Sequence, residues 1–122
     1  MAEQAKFNQV VDSAGLDEVF ASSNEAPTVL FLDDPYCPVS YEAYREVAGM
    51  PISVACVDVS NSRELSRAIE RRTGVRHESP QIFVLRNGRA VWSASHLRIT
   101  AAAIGQALAQ QEQAPDGGAQ PS

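Results

Sequence analysis

Apolar and polar positions change period several times along the chain, and each change marks an element. Pro27-Thr-Val-Leu-Phe-Leu32 is a continuous apolar run with branched and aromatic side chains, the pattern of a strand covered on both faces and central in its sheet. Val39, Ala43 and Val47 then recur at fourfold spacing, which predicts a helix from Pro38 to Ala48 with Pro38 in its first turn and Gly49 as its stop. Ile52 to Val59 reads as another strand. Asn61-Ser-Arg-Glu64 is a near relative of the capping box and opens a helix to about Thr73, with Leu65, Ala68 and Ile69 inward and Gly74 at a left-handed C-terminal cap. Upstream, Phe7 to Val11 suits a short strand, and Ser13 is placed to cap a helix carrying Leu16, Val19 and Phe20. Gln81 to Leu85 and Arg89 to Ser93 flank Asn87-Gly88, a strong hairpin signal that makes them antiparallel neighbours. Thr100 can cap a last helix with Ile104 and Leu108 inward, Ile99 and Ile104 forming a hydrophobic staple across its start.

The order β-α-β-α-β-α-β-β-α predicts a three-layer α/β/α fold, a central mixed sheet ending in an antiparallel hairpin and a closing helix. No internal repeat is visible. At 122 residues and 44% hydrophobic, the chain suffices for one domain over 1–112, while 113–122, without core residues, reads as a disordered tail. A net charge of -5 disfavours a sequence-independent grip on nucleic acid, whose affinity comes mainly from neutralised phosphates. No apolar run is long enough to span a bilayer, and the first residues lack the basic-then-apolar layout of a signal peptide, so the expected location is cytoplasmic, with no membrane partner.

Two cysteines, Cys37 and Cys56, are too far apart for a CxxC pair and too few for a disulfide scaffold; with only His77 and His96 beside them, no short zinc-ligand pair exists. Cys37 stands in Asp33-Asp-Pro-Tyr-Cys-Pro-Val-Ser40, where a strand gives way to a helix. Backbone N–H groups without intrahelical partners and the positive end of the helix dipole both favour a thiolate there, which makes Cys37 the candidate nucleophile. Asp33 and Asp34 oppose that effect wherever they approach the sulfur. Cys56, inside an apolar strand, reads as core. His77 and His96 invite acid–base assignments, but each also suits a hydrogen-bonded structural role; His77 is the nearer to the site, beside Ser79-Pro80. Arg63, Arg67 and Arg71 form a basic line that is either a solvated face or an attractor of carboxylates, with Arg76 better placed by its closeness to Pro80.

Tyr36-Cys-Pro-Val-Ser40, Arg76-His-Glu-Ser-Pro-Gln81 and Trp92-Ser-Ala-Ser-His96 together resemble the monothiol bacilliredoxins, the YtxJ-like family of the thioredoxin-like superfamily, over roughly residues 10 to 108. Tyr36 and Val39 replace the family's usual Thr and Ile. The resemblance implies thiol–disulfide exchange in which Cys37 attacks bacillithiolated client proteins, with bacillithiol as cosubstrate and no tightly bound cofactor. It also implies a cis-proline at Pro80 and a substrate-binding set of Tyr36, Pro38, Ser40, His77, Ser79 and Pro80. Ser40 stands at the place of the resolving cysteine in dithiol relatives, and its hydroxyl cannot form a disulfide, so exchange finishes with an external thiol. Two other readings remain at this point: a glutathione-type monothiol reductase, and a redox-inert thioredoxin-like module that binds peptides at the Pro80 edge.

Overall fold

The apolar run becomes strand β2 (Thr28–Asp33), the middle strand of a five-stranded sheet in a computed structural model that describes residues 4–113. The other elements are β1 (Lys6–Gln9), α1 (Ser13–Ser22), α2 (Pro38–Ala48), β3 (Ser53–Asp58), α3 (Arg63–Thr73), β4 (Gln81–Arg86), β5 (Arg89–Ser95), a single 3-10 turn (His96–Arg98) and α4 (Ala101–Gln113). Strand order is β1-β3-β2-β4-β5; β3 pairs in parallel with β1 and β2, and β4 pairs antiparallel with β2 and β5.

Alternation of side chains along each strand divides the core into two layers. Leu30 and Leu32 point to the face covered by Leu16 and Phe20 of α1 and Leu65 and Ile69 of α3. Val29 and Phe31 point the other way, onto Ala43 and Val47 of α2 and Ile104 of α4. Both layers bury β2, which is why its sequence is apolar without a period.

Several boundaries differ from the pattern-based expectation. Asp12, not Ser13, caps α1, its Oδ1 accepting from the Gly15 N–H at 2.8 Å. The Asn61–Glu64 capping box does not form, and Ser62 occupies the cap position without a side-chain bond. Asp58 explains the loss: its carboxylate accepts from the Ser60 N–H and hydroxyl and from Asn61 Nδ2, so the Asn61 amide is consumed in the turn after β3. β1 spans Lys6–Gln9 rather than reaching Val11, whose side chain is exposed. Gly74 closes α3 at φ 73, and Asn87 and Gly88 at φ 55 and 76 make the hairpin turn. The tail expected over 113–122 begins no earlier than 114, since Gln113 is the last residue of α4; residues 114–122 lie outside the described residues. Thr100 caps α4 through Ala103 N–H, and Glu46 of α2 accepts from the Ala101 N–H at 2.8 Å, tying the closing helix to the helix that starts at Cys37.

Candidate active site

Beyond β2 the chain must reverse, and Asp34-Pro35-Tyr36 supplies the turn. Asp34 Oδ1 accepts from the Tyr36 N–H at 3.0 Å, and the Cys37 N–H donates to the Asp34 carbonyl at 3.0 Å. Cys37 is itself the N-cap of α2, extended at φ -109 and ψ 124, and its side chain makes no capping hydrogen bond. Pro38 follows at the first helical position, and the Tyr41 N–H closes the first turn on the Cys37 carbonyl. The sulfur therefore stands at the mouth of a helix, beside its first turn, and has no hydrogen-bond partner among the described residues. Tyr36 (85% exposed) and Pro38 are open to solvent beside it, and Cys37 is half-buried.

Ser40 is fully buried, and its Oγ accepts from the Asp34 N–H at 3.2 Å. The residue at the resolving position thus braces the loop that carries Cys37.

Register brings the second half of the site into place. Leu32 pairs with Gln81, so Pro80 lies alongside Asp33 at the strand end from which the Cys37 loop departs. The Ser79–Pro80 peptide bond is cis, and Pro80 is buried. Gln81, buried and unremarkable in the sequence, organises this segment: Nε2 donates to the Arg76 carbonyl at 2.9 Å and Oε1 accepts from the Glu78 N–H at 3.2 Å. Its neighbour His77 donates its backbone N–H to Glu70 Oε2 at 2.9 Å. His96, at φ 57, opens the 3-10 turn, donates its N–H to the Pro80 carbonyl at 3.1 Å and places Nδ1 3.2 Å from Glu78 Oε1. This position makes His96 a brace for the Pro80 segment. Among the described residues, His77 Nδ1 and Ser79 Oγ are buried without a hydrogen-bond partner.

Cys56 stays away from this cluster. It pairs with Phe31, two residues inside the strand end, and is buried. Burial, with Asp33 and Asp58 adding to it and the Gln9 side chain pulling back, pushes its thiol up to about 11. It remains protonated at neutral pH.

Asp33 and Asp58 are register partners at the ends of β2 and β3. Partial burial and then the charges of Asp58 and Asp34 raise the Asp33 carboxyl from 3.8 to about 6. A carboxyl raised on folding binds its proton more tightly in the native state, so its stabilisation is complete below pH 3.8 and is lost as pH rises through 6. Asp33→Asn removes that loss. Because the group is only partly buried, solvent screening limits the gain at pH 7.5 to about 1 kcal/mol, a few degrees in Tm, with little gain at pH 4. Thermal melts of both proteins at the two pH values measure it, and an equal shift at both would refute the assignment.

The family model described as monothiol bacilliredoxin BrxC matches residues 8–104. The chain belongs to the monothiol bacilliredoxin family. Among solved structures it is similar to a thioredoxin-fold protein with a proposed oxidoreductase activity, at 26% identity and TM-score 0.77, covering 83% of this chain and 92% of that one. It also shares its fold with a poplar thioredoxin h mutant (12% identity, TM-score 0.72, covering 94% and 90%) and a mutant thioredoxin of Halobacterium salinarum NRC-1 (18%, 0.68, 94% and 98%). This bacilliredoxin therefore has the thioredoxin fold expected from its motifs, and thiol–disulfide oxidoreduction is the activity class its family carries. No described helix is long and apolar enough to cross a membrane.

Proposed function

We propose that this protein removes bacillithiol from protein mixed disulfides in the cytoplasm, through Cys37 acting alone. The observation that carries the reading is the pairing of a half-buried, uncapped thiol at the mouth of α2 with a buried hydroxyl, Ser40, one turn on. Cys37 thiolate attacks the bacillithiol sulfur of the mixed disulfide; the sulfur–sulfur bond breaks, the client leaves as thiolate and takes a proton from solvent, and bacillithiol stays on Cys37. Ser40 cannot supply a second sulfur. A second bacillithiol thiolate then attacks the adduct, releasing bacillithiol disulfide and restoring Cys37. In the same reading the backbone around Ser79 and Pro80 aligns the client as an added strand, with Tyr36 and Pro38 offering exposed contact area beside the sulfur.

Incubation with a bacillithiolated peptide, quenching and mass spectrometry test the proposal. The bacillithiol adduct is expected on Cys37 and not on Cys56. Adducts confined to Cys56, or none at all, would sink the proposal. A parallel reaction with the glutathionylated peptide is expected to run more slowly; faster turnover of the glutathione substrate would reassign the cosubstrate while leaving Cys37 as nucleophile.

A further inference from the structure

A cavity of about 270 Å³ opens between α3 and the segment leading to Pro80, lined by Val59, Arg63, Ser66, Arg67, Glu70 and His77. Its place is set by two contacts. The Val59 N–H donates to the Asp33 carbonyl at 2.9 Å, so one wall adjoins the strand end that launches the Cys37 loop. His77, on the opposite wall, lies three residues before Pro80, with its backbone fastened to Glu70. The cavity and the thiol thus occupy the same end of the sheet, on either side of its plane.

Its chemistry is selective. Neither Arg63 nor Arg67 is held in an ion pair or side-chain hydrogen bond among the described residues, whereas Arg72 on the same helix is paired with Asp17 at 2.7 Å and lies over the Phe20 ring. Arg71, the third member of the basic line, does not reach this cavity; it borders another, with Val11 and Asp12, which Arg63 also edges. Arg76, favoured from the sequence for its closeness to Pro80, does not line this one. His77 Nδ1 is buried without a partner. One carboxylate, Glu70, shares the lining with two arginines, and its Oε2 already accepts the His77 N–H. A cationic ligand would meet excess positive charge here, and an apolar one would cover two guanidinium groups without pairing them. A carboxylate answers both: the planar guanidinium forks match its two oxygens.

We infer that this cavity is the carboxylate subsite for the low-molecular-weight thiol exchanged at Cys37, with Arg63 and Arg67 as its donors. The inference rests on the exchange reaction proposed above and adds the reason for selecting a carboxylate-bearing thiol. The thiol's sulfur reaches Cys37 while its acidic end crosses the ends of β2 and β3, adjacent strands about 4.8 Å apart, to reach α3.

The test compares wild type with the Arg63→Gln/Arg67→Gln protein on one client peptide carrying either bacillithiol or uncharged 2-mercaptoethanol as its mixed disulfide. Expected is a roughly tenfold or greater rise in KM for the bacillithiol substrate with kcat little changed, and no change for the 2-mercaptoethanol substrate. Equal effects on both substrates, or none, would overturn the subsite. Succinate titration followed at the His77 imidazole resonances reads the cavity without any thiol chemistry: a saturable shift lost in the double variant supports it, and a shift that is absent, or that survives in the double variant, overturns it. If wild type forms no adduct with either disulfide, the exchange reaction fails, and the succinate result still decides whether the cavity takes a carboxylate.

Discussion

Cys37→Ser is expected to lower the rate of client-thiol release from a bacillithiolated peptide by roughly 10³-fold or more, to the level of the uncatalysed exchange. A serine hydroxyl does not ionise near neutral pH and cannot form a disulfide, so neither the attack nor the adduct survives. The fold is expected to stay intact, because the Cys37 side chain makes no capping hydrogen bond and the new atom is smaller. Tm should therefore move by no more than an exposed substitution moves it, about 0.5 kcal/mol in stability. Continuous detection of the released thiol, beside a thermal melt, measures both. Release at the wild-type rate by a folded variant would remove Cys37 from the mechanism.

Phe31→Ala is expected to have the largest effect on stability, about 3–5 kcal/mol. Phe31 is fully buried, pairs with Cys56 on one side and Ile82 on the other, and fills the layer beneath Ala43 and Val47 of α2. Removing the ring leaves a cavity that these rigid neighbours cannot collapse into, under the helix that presents the thiol. Total stabilities of about 5–15 kcal/mol make such a loss a large fraction of the whole. Urea unfolding should show a midpoint lower by about 1 M or more, while Val11→Ala, at an exposed position, leaves it nearly unchanged. A Phe31→Ala loss below about 1 kcal/mol would mean that the layer repacks.

The positions legible in the chain are those where one local rule acts without competition. Pro38–Ala48 is bounded as its fourfold spacing indicates, because a proline suits only the first turn and Ala43 and Val47 both find the sheet. Asn87-Gly88 forms its turn because both residues accept positive φ. The misplaced caps lie where neighbours compete. Asp12 reaches the Gly15 amide before Ser13 can serve, and Asp58 draws the Asn61 side chain away from α3. Ser23 carries no local signal, yet its carbonyl and hydroxyl accept the Asn87 and Gly88 N–H groups from a hairpin more than sixty residues away.

The site divides along the same line. The thiol's place at a helix start, and the hydroxyl one turn on, follow from adjacent residues and local backbone geometry, which the order of amino acids largely dictates. Gln81 bracing the Pro80 segment depends on partners within five residues but also on the register of β4 against β2. In the sequence, Arg63 and Arg67 belong to one periodic basic line with Arg71; packing sets Arg67 beside the His77 cavity, Arg71 beside one at the start of α1, and Arg63 at the border of both. Charge spacing along a helix says that side chains share a stripe; which neighbour that stripe meets depends on the long-range burial of Leu65 and Ile69 against β2, and only the assembled layers settle it.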